Sequence, residues 1–243
     1  DGISRTLNVL DVTVVARQSV GFTQPLCGTV IPGRVDPFAV KPTATISASD
    51  PNNITSDRTL YADTLYFISG FVTVRDGATL TVEPGTEVQG SDQFSALVIQ
   101  RDGRIVADGT LLEPIKFTCS VDEPNKTKGC WGGLAIAGNA PVVEGQSVTD
   151  ATDDGVVAGR SAAGCNERLL EGTADVEFGG CEVNDDSGVL RYVIEEYSGL
   201  EISQNNELNG ITLGGVGAGT TIDFVQVHAG LDDCWEHFGG TVS

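Results

Sequence analysis

The sequence predicts an all-β fold: a right-handed parallel β-helix with an N-terminal β-strand and Pro-rich extension. Three observations predict it. From Phe71 to Phe117 the chain reads as strands of four or five residues, each stopped by Gly, Pro or Asp. The apolar positions Val72, Val74, Leu80 and Val82 return about 25 residues later as Leu97, Ile99, Ile105 and Ala107, and the turn Asp76-Gly77 returns as Asp102-Gly103. A strand-and-turn unit repeating at roughly 20 to 50 residues is the mark of a solenoid, here with one coil per repeat. Finally, 31 Gly and only 6% aromatic residues suit thin layers of Val, Ile, Leu and Ala between many turns. A β-sandwich, the main competitor, calls for antiparallel hairpins and no such offset.

Residues 1–48 stand outside the repeat. TLNVLDVTVVA (Thr6 to Ala16) is a β-type run, and Pro25, Pro32, Pro37 and Pro42 mark the loop that follows. This extension either caps the first coil or forms a small β-element of its own. The β-helix is expected over 49–243, beginning with a polar connector up to Asp63 and with coils from about Leu65. Insertions interrupt it at 119–130 and 146–186. The second is rich in Gly, Ala and Asp, with at most a short helical piece near Asn166 to Leu170. VLRYVIEEYSG (Val189 to Gly199) is echoed about 32 residues later by TIDFVQVHAG (Thr221 to Gly230). Between them ELNGITLGGVGAGT reads as one strand enclosed by Asn and Gly turns. Strands this short have no stability alone. Coil stacking satisfies their backbones at a spacing of about 4.8 Å, and Gly and Asn supply the positive φ that sharp corners need.

The formal charge is −20, from 14 basic and 34 acidic residues. Nucleic acid is excluded as a partner, because phosphate neutralisation needs clustered Lys and Arg. An acidic surface favours solubility and attracts cations, calcium included. No run of about 18 apolar residues exists to span a membrane as a helix. The chain opens at Asp1 with neither Met nor a basic-then-apolar leader, as expected of a mature exported chain or of a piece of a longer one.

Six cysteines are present, none in a C-x-x-C pair. Cys119 and Cys130 flank the polar loop SVDEPNKTKG, and Cys165 and Cys181 bracket NERLLEGTADVEFGG. Both pairs close loops of a length that a disulfide stabilises by roughly 3 kcal/mol in the chain-entropy argument. Both are expected as disulfides, and with them an exported, extracellular protein. Cys27 and Cys234 remain, to pair with each other, with residues outside this sequence, or across subunits. Sequons at Asn53 and Asn125 agree with export where glycosylation operates.

At these residues the chain also resembles a known family. The blocks GATLTVEPGTEVQG, LVIQRDGRIVADGT, EPIKFTCS, WGGLAIAGNAPV, GVLRYVIEEYSG, NELNGITLGGVGAGTTIDFVQVHAG and DDCWEHFGGTV, in this order, resemble exported bacterial proteins related to the pectin-lyase-like β-helices. The resemblance covers about Leu65 to Val242. It implies a right-handed β-helix at the cell surface or beyond, and leaves 1–48 outside.

Asp232-Asp233-Cys234 resembles the paired-Asp-Cys block of polygalacturonase-type β-helices, whose aspartates activate water and protonate the leaving sugar. One coil upstream, where a third carboxylate belongs, stands Gly210-Ile211-Thr212, so a turn-capping role is the stronger expectation. A calcium-dependent lyase needs a base beside carboxylates. Arg191 is the only base close in sequence to Glu195-Glu196, and strand alternation points those two carboxylates to opposite faces. Both are read as solvated strand charges. Asp150, Asp153 and Asp154, and Glu182, Asp185 and Asp186, form acidic loops that match no calcium-loop spacing. Asp153, Asp154, Asp185 and Asp186 are the calcium candidates, with no metal or other cofactor expected to be required. His228 and His237 lack clear metal partners.

HFGGTVS (His237 to Ser243) is still in coil rhythm, and an uncovered edge invites strand addition. Leu7, Val9, Val12 and Val14 of the N-terminal strand, with Cys27 and Cys234, are the expected subunit-contact residues of a head-to-tail homo-oligomer or filament. The resulting expectation is a non-enzymatic extracellular structural or adhesive β-helix. The alternatives are a polygalacturonase-like hydrolase, a calcium-dependent polysaccharide lyase, or a glycan-binding module using Trp131, Trp235, Tyr192 or Tyr197 as stacking platforms.

Overall fold

Alternation sets the elements. FVTV (Phe71–Val74), TLTV (Thr79–Val82) and RIVAD (Arg104–Asp108) each bury every second side chain, as short strands lining a core do. The computed structural model describes residues 40–48, 54–142, 165–173, 175–203 and 206–243. Leu7, Val9, Val12, Val14, Cys27, Asn53, Asp150, Asp153 and Asp154 lie outside the described residues.

In chain order the strands are β1 (Thr43–Ser47), β2 (Arg58–Leu60), β3 (Leu65–Ser69), β4 (Phe71–Val74), β5 (Thr79–Val82) and β6 (Glu87–Gly90). There follow β7 (Ala96–Ile99), β8 (Arg104–Asp108), β9 (Ile115–Cys119), β10 (Gly133–Ala137), β11 (Arg168–Leu169) and β12 (Glu177–Phe178). The last are β13 (Gly188–Glu196), β14 (Leu200–Ser203), β15 (Asn206–Leu208), β16 (Ile211–Gly214), β17 (Thr221–His228) and β18 (Trp235–Phe238). Lys41–Ser243 forms one compact unit.

Three stacked faces curl around one axis, making a parallel β-helix. The first face stacks β2, β5, β8 and the first half of β13, and the second stacks β1, β3, β6, β9 and its second half. The third stacks β4, β7, β10, β16 and β18, and β17 lies in parallel along β13. The expected offset is the coil itself: Val72 lies beside Leu97, Val74 beside Ile99, Leu80 beside Ile105 and Val82 beside Ala107. The later echo holds as well, with Val189 beside Thr221.

Inward side chains form columns along the axis. One runs Val72, Leu97, Leu134, Ile211, Trp235, and a second Tyr66, Val88, Phe117, Glu195, Val227. Trp131 is fully buried, and Gly90 makes room for it: a Cβ at residue 90 would collide with the Trp131 side chain. In β13 the corner between first and second faces tightens to a single residue. Tyr192 sits there at φ 48°, and Phe224 at φ 52° repeats the bend in β17. Positive φ on an aromatic residue is strained and needs its surroundings to hold it.

Three details depart from the sequence expectation. β1 pairs with β3, so stacking starts at Thr43, inside the segment assigned to the extension. Arg168–Leu169 is a strand paired antiparallel with Glu177–Phe178 rather than a helical turn, because Leu170 and Phe178 both bury against the solenoid. Before β16 the chain makes an additional antiparallel excursion, β14 with β15.

Candidate functional site

Glu195 is the residue whose position the sequence reading missed. It was expected as a solvated strand charge, yet it stands in the inward column between Phe117 and Val227 and is fully buried. Neither of its carboxyl oxygens nor the nearby Ser198 hydroxyl meets a partner at hydrogen-bonding geometry. The Trp131 indole N–H donates instead to the Glu196 carbonyl, at 2.9 Å. Burial therefore pushes the Glu195 carboxyl up to about 8, and the neighbouring Glu196 charge adds to the shift. The echo carried the signal, since Val227 occupies the corresponding place in the next coil. Glu196 points outward, as alternation requires, and pairs with Lys116 at 3.6 Å.

On the outer first face, charges from neighbouring coils answer one another. Arg191 donates through Nε and Nη2 to the two oxygens of Asp108, both at 2.7 Å. Those bonds hold the Asp108 carboxyl below the usual carboxylate range and raise Arg191 further. Asp223 flanks Arg191 on the other side in register. Beside this ladder the rings of Tyr192 and Phe224 stack with centroids 4.6 Å apart and planes 11° apart. Phe224 is 63% exposed. Tyr197 meets His228 edge-on and carries Lys126 at 5.7 Å over its ring. Trp131 is no platform for a ligand, because it has no exposed surface.

The third face is covered on its outside. Its outward residues Ala96, Val98, Ala135 and Ala137 are small and apolar, and a second hydrophobic cluster lies over them, built from Val142, Leu170, Val176, Phe178, Leu200 and Leu208. These come chiefly from β11–β12 and β14–β15. The disulfide Cys165–Cys181, with Cα atoms 5.0 Å apart, closes the cover, and Cys119–Cys130, with Cα atoms 5.9 Å apart, closes the loop after β9. Arg101 ties cover to coil through Glu167 and Glu177, both at 2.7 Å. Such disulfides mark an oxidising environment.

Asp232, Asp233 and the free thiol Cys234 lie exposed in the turn before β18. The Asp233 backbone N–H donates to the Asn209 side chain, and Asn209 in turn donates to Glu236. Ile211 lies beside Trp235 in register, so the coil upstream places no carboxylate opposite the aspartates. Asp185 accepts from the Ser187 hydroxyl and the Gly217 N–H, and Asp186 from the Gly188 N–H and Arg104. Their oxygens thus shape the chain around them. Among the described residues, no three His, Cys, Asp or Glu side chains gather as a metal-holding group. His237 lies beside Leu213 in register with its side chain exposed, and partial desolvation lowers its pKa.

Short strands stacked in parallel around a narrow apolar interior, with excursions leaving at the corners, define a parallel β-helix protein. Residues 52–243 match the family described as the pectate-lyase-like β-helix domain, and the chain belongs to it. Comparison with curated proteins and with solved structures gives no match.

Proposed function

We propose that the chain is a non-enzymatic structural or adhesive β-helix working outside the cell or on its surface. The observation that carries this reading is that four basic side chains on the outer faces are each held by a carboxylate. Arg191 is held by Asp108, Lys116 by Glu196, Arg104 by Asp186, and Arg101 by Glu167 and Glu177. Hydrolysis of a glycoside needs two carboxylates facing each other across a groove, and calcium-assisted elimination needs an unencumbered base beside the metal. Arg191 is engaged on both oxygens of Asp108, and Glu195 is sealed inside. The two disulfides support export.

Incubation of the whole chain with acidic polysaccharides, with and without calcium, tests this reading through reducing ends and unsaturated-uronate absorbance. No turnover is expected, together with retention of labelled protein on intact cells. Turnover that disappears in Asp232→Asn or Asp233→Asn would replace the proposal with the hydrolase. Self-association of copies belongs to the same reading, and light scattering on the full chain measures it. A glycan-binding role is favoured by one observation, the exposed Phe224 ring stacked on the half-buried Tyr192. Loss of carbohydrate retention in Phe224→Ala would identify that surface.

A further inference from the structure

The outward positions of β4 and β7 change character along the strands. On β4 they run Phe71, Thr73 and then Arg75 just past its end; on β7 they run Ala96, Val98 and then Gln100. Among the described residues, the cover meets this gradient without filling it. At the strand starts a cavity of about 410 Å³ remains, walled by Phe71, Val98, Val176 and Ile202, with Thr73 and Asn206 also lining it. At the strand ends a second cavity of about 170 Å³ is lined by Arg75, Asp76, Arg101, Asp102 and Glu177. Asp175, exposed on the cover, borders both. An apolar chamber thus opens beside a charged one, with a carboxylate at their shared wall.

The charged chamber is biased. Both arginines are already engaged, Arg101 by Glu167 and Glu177 at 2.7 Å, and Arg75 by Asp76 at 3.7 Å. Asp102 and Asp175 have no ion pair among the described residues, so the chamber presents net negative charge next to apolar walls. A chamber of this size and lining suits a small molecule that buries its body and orients itself with a few polar contacts. The charge complement of two unpaired carboxylates is an ammonium group. The geometry points to a binding site for a small cationic amphiphile, its apolar or aromatic body against Phe71, Val98, Val176 and Ile202 and its amine at Asp175 and Asp102.

Two dansyl probes with the same aromatic body and opposite tails test this on the whole chain: dansylcadaverine, which carries an amine, and dansylglycine, which carries a carboxylate. Dansylcadaverine is expected to bind saturably at one site with blue-shifted emission, about fivefold to tenfold more tightly than dansylglycine, as two partly exposed ion pairs would give. Asp175→Asn is expected to narrow that ratio to about threefold or less. Ile202→Arg alters a rim residue that is 48% exposed, so folding is spared, and it is expected to abolish the saturable signal. Equal affinity for the two dyes would overturn the inference. So would dansylcadaverine binding that survives unchanged in Ile202→Arg, which would reflect general attraction to a chain of charge −20. A chamber already filled by the chain itself would give no blue-shifted, saturable signal, and that result also overturns it.

Discussion

A carboxyl in the column of Phe117 and Val227 makes stability depend on pH at a single residue. The folded chain keeps the Glu195 proton up to about pH 8, whereas an unfolded Glu releases it near its ordinary value of 4.5. Between those values the folded state binds more protons. Stability is therefore fully present below about 4.5 and falls as pH rises toward 8, by on the order of several kcal/mol at most. Glu195→Gln keeps the shape and removes the charge. Urea unfolding from pH 5 to 8 is expected to show a falling midpoint in the parent chain and a nearly flat one in the variant. An equal slope in both would place the titration elsewhere. Alternation alone told Glu195 from Glu196 but not which of them faced inward. Only its alignment with Val227 in the later coil decides that.

Among the elements, the excursions differ from the coils in how they are held. Coil strands are fixed by backbone pairing on neighbouring coils, but the loop between Cys119 and Cys130 carries a disulfide, the Lys126–Thr118 hydrogen bond and contacts to Tyr197. Cys119 is itself fully buried in the core. Replacing both cysteines by Ala is expected to lower unfolding free energy by about 2–4 kcal/mol, read from urea midpoints at constant slope. A change within about 0.5 kcal/mol would show the loop to be held by its polar contacts. The excursions were the least legible part of the sequence. β14–β15 and the strand at Arg168–Leu169 have no internal period, since their order comes from the apolar outer face they cover. Val98, Ala135 and Ala137 did signal that face: apolar residues at outward positions of β7 and β10 need a cover.

At the scale of the whole chain, repetition made the coils legible. The register of β4 on β7 and of β5 on β8 reproduces, residue for residue, the offset visible between Val72 and Leu97. A charge of −20 acts on the same scale, by self-repulsion of the folded form. Raising NaCl from about 10 mM to about 300 mM shortens the screening length from ~30 Å to below ~10 Å. The expected result is a melting temperature higher by a few degrees at pH 7, measured by circular dichroism. A lower one would mean that the cross-coil ion pairs outweigh the repulsion.

Asp108 and Arg191 are 83 residues apart in sequence yet joined side by side. That interval, with its excursion, advances the stack by one strand spacing of about 4.8 Å, the same step that carries Leu80 to Ile105. Sequence length and distance travelled along the axis are thereby uncoupled. Residues added at such a corner thicken the girth of the solenoid locally and leave its reach unaltered, so one scaffold can acquire new surface without shifting any strand below or above.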